Sequence, residues 1–144
     1  MAGFDLERFR KAQEADYALA LEEIKEGQKR SHWIWYIFPQ LKGLGFSGMS
    51  GYFGISGIAE AKAYMRDPVL GKRLLEISGA LLVHTGKNIS AIFGYPDDRK
   101  VRSCMTLFSI AEPDEEIFRK VIDGFYGGEK DERTIQILKA HGDI

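Results

Sequence analysis

The first of two short stretches that could do chemistry is HWIWYIFPQ, residues 32–40. It places an imidazole, His32, and an amide, Gln40, at the two ends of an aromatic cluster that includes Trp35. Aromatic side chains usually fill a protein core, and we expect most of these rings to be buried. Polar groups beside such a cluster can also line a pocket that stacks and hydrogen-bonds a planar ligand.

The second stretch is DDRKVRS, which opens a predicted helix with Asp97 and Asp98 and ends with Arg102 and Ser103. Acidic residues in a first helical turn are favourable for stability alone, because they face the positive end of the helix dipole. Arg102 could bind a carboxylate or phosphate, or be held as a structural ion pair by Asp97, Asp98 or Asp131. The ion pair is the favoured interpretation.

We therefore predict a ligand pocket where the segments His32–Gln40 and Asp97–Ser103 meet. The expected ligand is a small polar or nucleotide-like molecule, and whether any reaction is catalysed stays open. No cofactor is predicted, and no metal site either, because the histidines are far apart and one cysteine cannot complete a zinc site. The candidate ligand-binding residues are His32, Trp35, Gln40, Asp97, Asp98, Arg102 and Ser103.

A second hypothesis is a non-catalytic interaction module that uses the loop Gly43–Gly57, where six of the sixteen glycines lie. Its apolar side chains could form an exposed contact surface. The loop also contains the string G-x-G-x-x-G, but we predict neither a strand before it nor a helix within it, as a dinucleotide-binding loop requires. The apolar residues of this loop are Leu44, Phe46, Met49, Tyr52 and Phe53.

Length and composition predict one globular domain over residues 1–144, with 44% hydrophobic residues to fill a core. Twenty basic and 21 acidic residues leave a net charge of −1, which argues against a dedicated nucleic-acid binder. No apolar run is long enough to cross a membrane. A single cysteine, Cys104, and no secretory signal predict a cytoplasmic protein; the oligomeric state stays open.

Hydrophobic periodicity predicts an all-α fold: about seven or eight short helices around a central apolar helix, Val69–Val83, with a long Gly-rich loop. The predicted N-caps are Asp16, Ser56, Asp131 and, for the central helix, Asp67, with Pro68 at the first helical position. The aromatic segment Trp33–Phe38 is read as a short buried helix rather than a strand without a partner. The other predicted helices are Asp5–Arg10, Tyr17–Glu26, Ile58–Met65, Ile89–Phe93, one that opens at Tyr95–Asp98, Asp114–Phe125 and Glu132–Ala140.

Four blocks of the sequence resemble the domain-of-unknown-function 1810 family, and the resemblance covers nearly the whole chain. The resemblance implies a compact, mostly helical domain of bacterial type with no established activity. Some members carry the label calpastatin, which does not suit this sequence, because that inhibitor is a disordered repeat protein and this chain has the residues of a folded core. The matching blocks are His32–Gly45, Tyr64–Leu74, Ile92–Phe108 and Asp131–Thr134.

The helix layout also resembles the NADAR proteins, helical N-glycosidases that act on ADP-ribose-related compounds. This sequence lacks that family's Ser-Glu-His helix start, so no catalytic residue is carried over. A glycosidase of this kind would need a carboxylate near the sugar bond and an aromatic surface for the base. The residues that could supply them are Glu60, Asp97 and Asp98 for the carboxylate, and Trp33 or Trp35 for the aromatic surface.

Overall fold

The computed structural model describes residues 3–144, which fold into nine α-helices without a β-strand. The predicted all-α class is confirmed over these residues; Met1 and Ala2, the start of the predicted domain, lie outside them. None of the helices between residues 3 and 144 has the length and apolarity that crossing a bilayer requires. The helices are α1 (Glu7–Glu26), α2 (Ile34–Ile37), α3 (Gly48–Phe53), α4 (Ile58–Arg66), α5 (Leu70–Leu82), α6 (Ile89–Phe93), α7 (Asp97–Ala111), α8 (Glu116–Tyr126) and α9 (Glu132–Ala140).

Helix α1 is one continuous helix where the sequence predicted two. The residues between the two predicted segments include Ala12, Gln13 and Ala15, which are good helix formers, so nothing interrupts the backbone. The carboxylate of Asp16 does not cap a helix but accepts a hydrogen bond from Tyr36 Oη. The helix ends at Gly27, whose left-handed backbone (φ 81°) a glycine adopts without a steric penalty.

The N-terminus of α4 also differs from the prediction, because Ser56 makes no side-chain cap. Instead the Glu60 carboxylate reaches back and accepts the backbone N–H of Ser56 at 2.8 Å. The next helix, α5, begins at Leu70, two residues after the predicted start, but Asp67 takes the predicted role: its Oδ1 accepts the N–H groups of Val69 (2.9 Å) and Leu70 (3.0 Å).

The Gly-rich segment is more ordered than the predicted irregular loop. It contains helix α3, which Ser47 caps by accepting the N–H of Ser50 at 3.1 Å. The two ends of the segment are joined by backbone hydrogen bonds, from Lys42 N to Ile55 O (2.7 Å) and from Ile55 N to Gln40 O (2.8 Å). The segment is therefore a closed loop whose two ends lie side by side.

Two helices share the centre of the fold. The predicted central helix, now α5, packs against α1, α4 and α8, while α7 packs against α4, α6, α8 and α9. Helix α7 is buried along more of its length, and even its polar residues Ser103 and Thr106 are buried. Val83, which the sequence placed at the end of the central helix, is 80% exposed. The middle of the molecule thus contains two helices, α5 and α7, which both pack against α4 and α8, and α7 carries one of the two predicted ligand-binding stretches.

The turn between α1 and α2 is organised around one buried carboxylate, that of Glu23. Its oxygens accept the backbone N–H groups of Arg30 (2.8 Å) and Ser31 (3.1 Å), the Ser31 hydroxyl (2.6 Å) and the Trp33 indole N–H (2.9 Å). Burial alone would raise the pKa of Glu23, but the hydrogen bonds from Ser31, Arg30 and Trp33 outweigh it and lower the pKa from 4.5 to about 2. The turn that leads into the aromatic cluster is therefore held by an ionised side chain.

Replacing this carboxylate by an amide, Glu23→Gln, is expected to lower the free energy of unfolding by about 2 kcal/mol, because donors that Glu23 satisfied lose an acceptor. The stabilisation from a lowered pKa is present above about pH 4.5 and is lost as the pH falls toward 2. Chemical denaturation from pH 7 to pH 2 should therefore show a smaller loss of stability in E23Q than in the wild type. Equal pH dependence of the two proteins would contradict this role.

Candidate functional site

An open cavity of about 890 Å³ lies where three segments of the chain meet. This volume falls within the range of small-molecule sites. Trp35, Gln40, Leu44 and Gly45 form the first wall, and residues between Tyr95 and Ser103 form the second. The third wall consists of residues 129–133, the turn before α9 and its first residues.

The two predicted segments meet through a chain of charged and aromatic groups. Lys29 Nζ lies 2.8 Å from one oxygen of Asp97, and Lys100 Nζ lies 3.2 Å from the other. Lys100 Nζ also lies over the Trp35 ring, 4.0 Å from its centroid, and Lys29 Nζ lies 5.1 Å from the centroid of Trp33. Asp97 therefore links the start of α7 to the aromatic segment.

Four of the seven predicted ligand-binding residues line this cavity: Trp35, Gln40, Arg102 and Ser103. The Gln40 side-chain amide makes no hydrogen bond within residues 3–144, whereas the Ser103 hydroxyl donates to the carbonyl of Arg99 at 3.2 Å, inside its own helix. The Gln40 amide therefore has its hydrogen-bond donors and acceptor available for a ligand. The Ser103 hydroxyl has less hydrogen-bonding capacity available, because its proton is already used.

The other three predicted residues lie outside the cavity wall. His32 is exposed on the surface. Asp97 is held by the two lysines, and Asp98 accepts the hydroxyl of Ser90 at 2.6 Å and the N–H of Arg99 at 2.9 Å. The predicted meeting of His32 and Arg102 at one cavity does not occur, because the Glu23-bound turn leaves the imidazole on the outside of the molecule.

The prediction that Arg102 forms an ion pair with an acidic side chain is wrong. Within residues 3–144 its guanidinium lies within 4 Å of no carboxylate, and its Nε is buried without a hydrogen-bond partner. The carbon of the guanidinium lies 5.7 Å from the centroid of Tyr126. Burial, with Asp98 nearby, raises the pKa of Tyr126, which stays protonated and donates to the carbonyl of Asp98 at 2.5 Å. Asp98 and Asp131 form hydrogen bonds with other groups, so the Arg102 guanidinium lies near an aromatic ring and not beside a carboxylate.

The third wall, residues 129–133, contains none of the seven predicted ligand-binding residues. Asp131 is the N-cap of α9, as predicted, and accepts the N–H of Thr134 at 3.0 Å. Its own N–H donates to the buried hydroxyl of Thr106 at 2.8 Å, and this bond attaches the turn to α7. Local sequence carries no signal for this contact, because the two residues are 25 positions apart.

The cavity is lined by five cationic and three acidic side chains, so its electrostatic character is positive. One of the acids, Asp131, is already used as a helix cap, and one of the cations, Lys100, is paired with Asp97. Among residues 3–144, no group of three His, Cys, Asp or Glu side chains is arranged to hold a metal ion. The charged residues of the wall are Arg99, Lys100, Arg102, Lys130 and Arg133, with Glu129, Asp131 and Glu132.

The carboxylates suggested by the resemblance to N-glycosidases do not lie in the cavity wall. Glu60 is buried at the N-terminus of α4, where its Oε2 lies 3.0 Å from Arg8 Nη2. Asp97 and Asp98 are engaged as described above. The acids that face the cavity are instead those of the third wall.

The fold and the site define the class: an all-α domain with an open, positively charged cavity beside its most buried helix. The chain belongs to the family described as "Protein of unknown function (DUF1810)", whose model matches residues 3–138, and the family resemblance is thereby confirmed. It is similar to the crystal structure of the conserved hypothetical protein Rv1873 from Mycobacterium tuberculosis, with 44% identity and a TM-score of 0.93. That match covers 94% of this chain and 97% of the mycobacterial one. The comparison with curated proteins gave no match.

Thr106→Val is expected to loosen the third wall while keeping the shape of the side chain. The valine cannot accept the Asp131 N–H, so the free energy of unfolding should fall by about 1 kcal/mol. Amide hydrogen exchange across residues 129–133 should accelerate. Ser109→Ala is the matched control, because the Ser109 hydroxyl donates only within α7, to the Thr106 carbonyl at 2.9 Å. Equal exchange of this turn in both variants would show that the Thr106 hydroxyl does not hold it.

Proposed function

We propose that the cavity binds a small polar molecule that carries a phosphate or carboxylate group. The observation that carries this proposal is Arg102, an arginine in the cavity wall with a buried Nε that has no partner and with no acid beside it. A buried hydrogen-bond donor without an acceptor costs about 1–3 kcal/mol. The other nitrogens of this guanidinium make no hydrogen bond within residues 3–144 either, so the group has donors available for a ligand oxygen.

The chemistry of arginine supports an anionic ligand. A guanidinium presents paired N–H donors in one plane, and these match the paired oxygens of a phosphate or carboxylate. The contact with Tyr126 covers one part of the group with an aromatic ring but provides no hydrogen-bond acceptor for it. A small movement off this ring would direct the donors of Arg102 toward a bound anion.

The neighbouring charges support the same conclusion. Arg99, Lys130 and Arg133 line the cavity with Arg102, and all three are exposed. The Arg133 guanidinium donates to the carbonyl of Leu44 at 3.2 Å and lies within 4 Å of no carboxylate among residues 3–144. Several cations around one concave surface raise the local concentration of anions.

The rigidity of the walls also favours binding. Lys100, which is paired with Asp97, lies over Trp35 and joins the first two walls, and the Thr106 bond holds the third. A site whose walls are fixed before the ligand arrives loses less conformational entropy on binding.

Arg102→Met is expected to weaken the binding of an anion by about tenfold or more, because a charge-assisted hydrogen bond is lost. The free energy of unfolding of the R102M protein should stay within about 1 kcal/mol of the wild-type value, because the change also removes the unpartnered donor. Thermal shift and calorimetry with inorganic phosphate, ribose 5-phosphate, adenosine 5′-monophosphate and citrate measure both effects. Arg119→Met, on the exposed face of α8 and outside the cavity, is the matched control.

Two outcomes would contradict the proposal. One is that none of the four probes stabilises the wild-type protein, since a ligand at a hundred times its Kd should add about 2.7 kcal/mol. The other is a strongly destabilised R102M protein that still binds its probe as well as the wild type does. Arg102 would then be a structural residue.

A second candidate function, the interaction module, is supported by the side chain of Phe46, which is 97% exposed. Met49 and Tyr52 of the same loop are exposed as well. Leu44 is half-buried and Phe53 is buried, so the exposed surface is smaller than the sequence predicted. We propose a second copy of this chain as the partner, because exposed aromatic side chains of this size favour association.

Phe46→Ser is expected to abolish this association. Light scattering at high protein concentration should then give the dimer mass for the wild type and the monomer mass for F46S. Val83→Ser is the control, since this valine is also strongly exposed but lies far from the loop in sequence. A wild-type protein that stays monomeric would remove this candidate.

A further inference from the structure

Building on the proposed function, we infer that the ligand is a nucleoside phosphate whose base stacks on Tyr95 while its phosphate binds Arg102. The juxtaposition behind this inference is an exposed aromatic ring and an unpartnered guanidinium in one wall of one cavity.

Tyr95 is an exposed aromatic side chain at the start of the second wall, immediately before α7. It is 73% exposed, although a tyrosine ring gains free energy from burial. Within residues 3–144 no other aromatic ring packs against it, and Arg99 is the cation beside it, with its guanidinium carbon 4.9 Å from the ring centroid. An arginine-backed ring that is otherwise open to solvent is a surface on which a nucleobase stacks.

Trp35, which the sequence favoured for this role, is less suitable. Its ring is half-buried, and Lys100 Nζ lies 4.0 Å from the ring centroid. Lys100 is held in this position by Asp97. A base could stack on that face only by displacing an ion-paired lysine, so Trp35 serves as a wall of the cavity and not as the stacking surface.

The spacing of the two groups fits a ligand with two ends. Arg99 and Arg102 are three residues apart in α7, and therefore lie on adjacent turns of one helix face. Tyr95 lies two positions before Asp97, the first residue of α7, and Arg102 lies roughly 7.5 Å beyond Asp97 along the helix axis. An isolated phosphate or a small carboxylic acid would not reach both groups, whereas a base joined to a phosphate through a sugar would.

The acidic residues of the third wall limit the charge of the ligand. Glu129 and Glu132 line the cavity and form no ion pair within the described residues 3–144. They partly offset the cations, so the site does not suit a long polyanion such as RNA. Their carboxylates can accept hydrogen bonds from the sugar hydroxyls of a single nucleotide.

The test is calorimetry of the full chain with adenosine and uridine 5′-monophosphates, ribose 5-phosphate, inorganic phosphate and citrate. At least one nucleotide should bind about tenfold or more tightly than ribose 5-phosphate, because base stacking on an aromatic side chain adds to the phosphate contact. Tyr95→Ala should abolish this difference and leave the Kd of ribose 5-phosphate unchanged. Tyr95→Phe should retain the difference, and Tyr52→Ala, an exposed tyrosine outside the cavity wall, is the control.

The possible failures are distinguishable from one another. Nucleotides that bind no better than ribose 5-phosphate would overturn the base site but leave the proposed anion site standing. A Y95A protein that loses affinity for ribose 5-phosphate equally would show that Tyr95 shapes the cavity without stacking a base. Binding of citrate and of no other probe would overturn the inference that the ligand is a nucleoside phosphate, but the proposed anion site would stand. No binding of any probe would overturn the inference and the proposed function together.

Discussion

The structure of the candidate site depends first on the buried carboxylate of Glu23. The turn after α1 presents several N–H and O–H donors to the protein interior, and one ionised side chain satisfies four of them. A carboxylate has enough acceptor positions for this, and a neutral amide does not. The carboxylate fixes the position of Trp33, and therefore the direction in which the aromatic segment leaves the turn.

From this turn the positioning continues through Asp97 to α7. Lys29 lies in the turn itself, and its contact with Asp97 joins the turn to the start of the buried helix. Lys100 extends the contact to Trp35, so that charge and aromatic packing together set the distance between the first two walls. Thr106 adds the third wall through one hydroxyl. The polar groups that hold these walls in place are thus satisfied, whereas Arg102 keeps a buried donor without a partner.

That contrast gives Arg102 its significance. Ser103 and Thr106, its neighbours on α7, direct their hydroxyls to backbone carbonyls, as polar residues in a buried helix usually do. Arg102 instead keeps a donor that the protein does not use. A protein that retains such a group forgoes some stability, and sites that bind ligands are where this is expected.

The sequence by itself determined the all-α class and the positions of most helices, because periodicity and capping are local properties: Asp67 and Asp131 cap as their spacing indicates. Local signals failed where side chains found distant partners, as when Asp16 took the hydroxyl of Tyr36 and α1 continued through it. The contact between segments 32–40 and 97–103 could be predicted from the polar and aromatic residues that they contain. Only the tertiary structure decided that Arg102 lacks an acid and that His32 faces outward. It also decided that the third wall comes from residues 129–133, because each depends on which groups distant parts of the chain bring together.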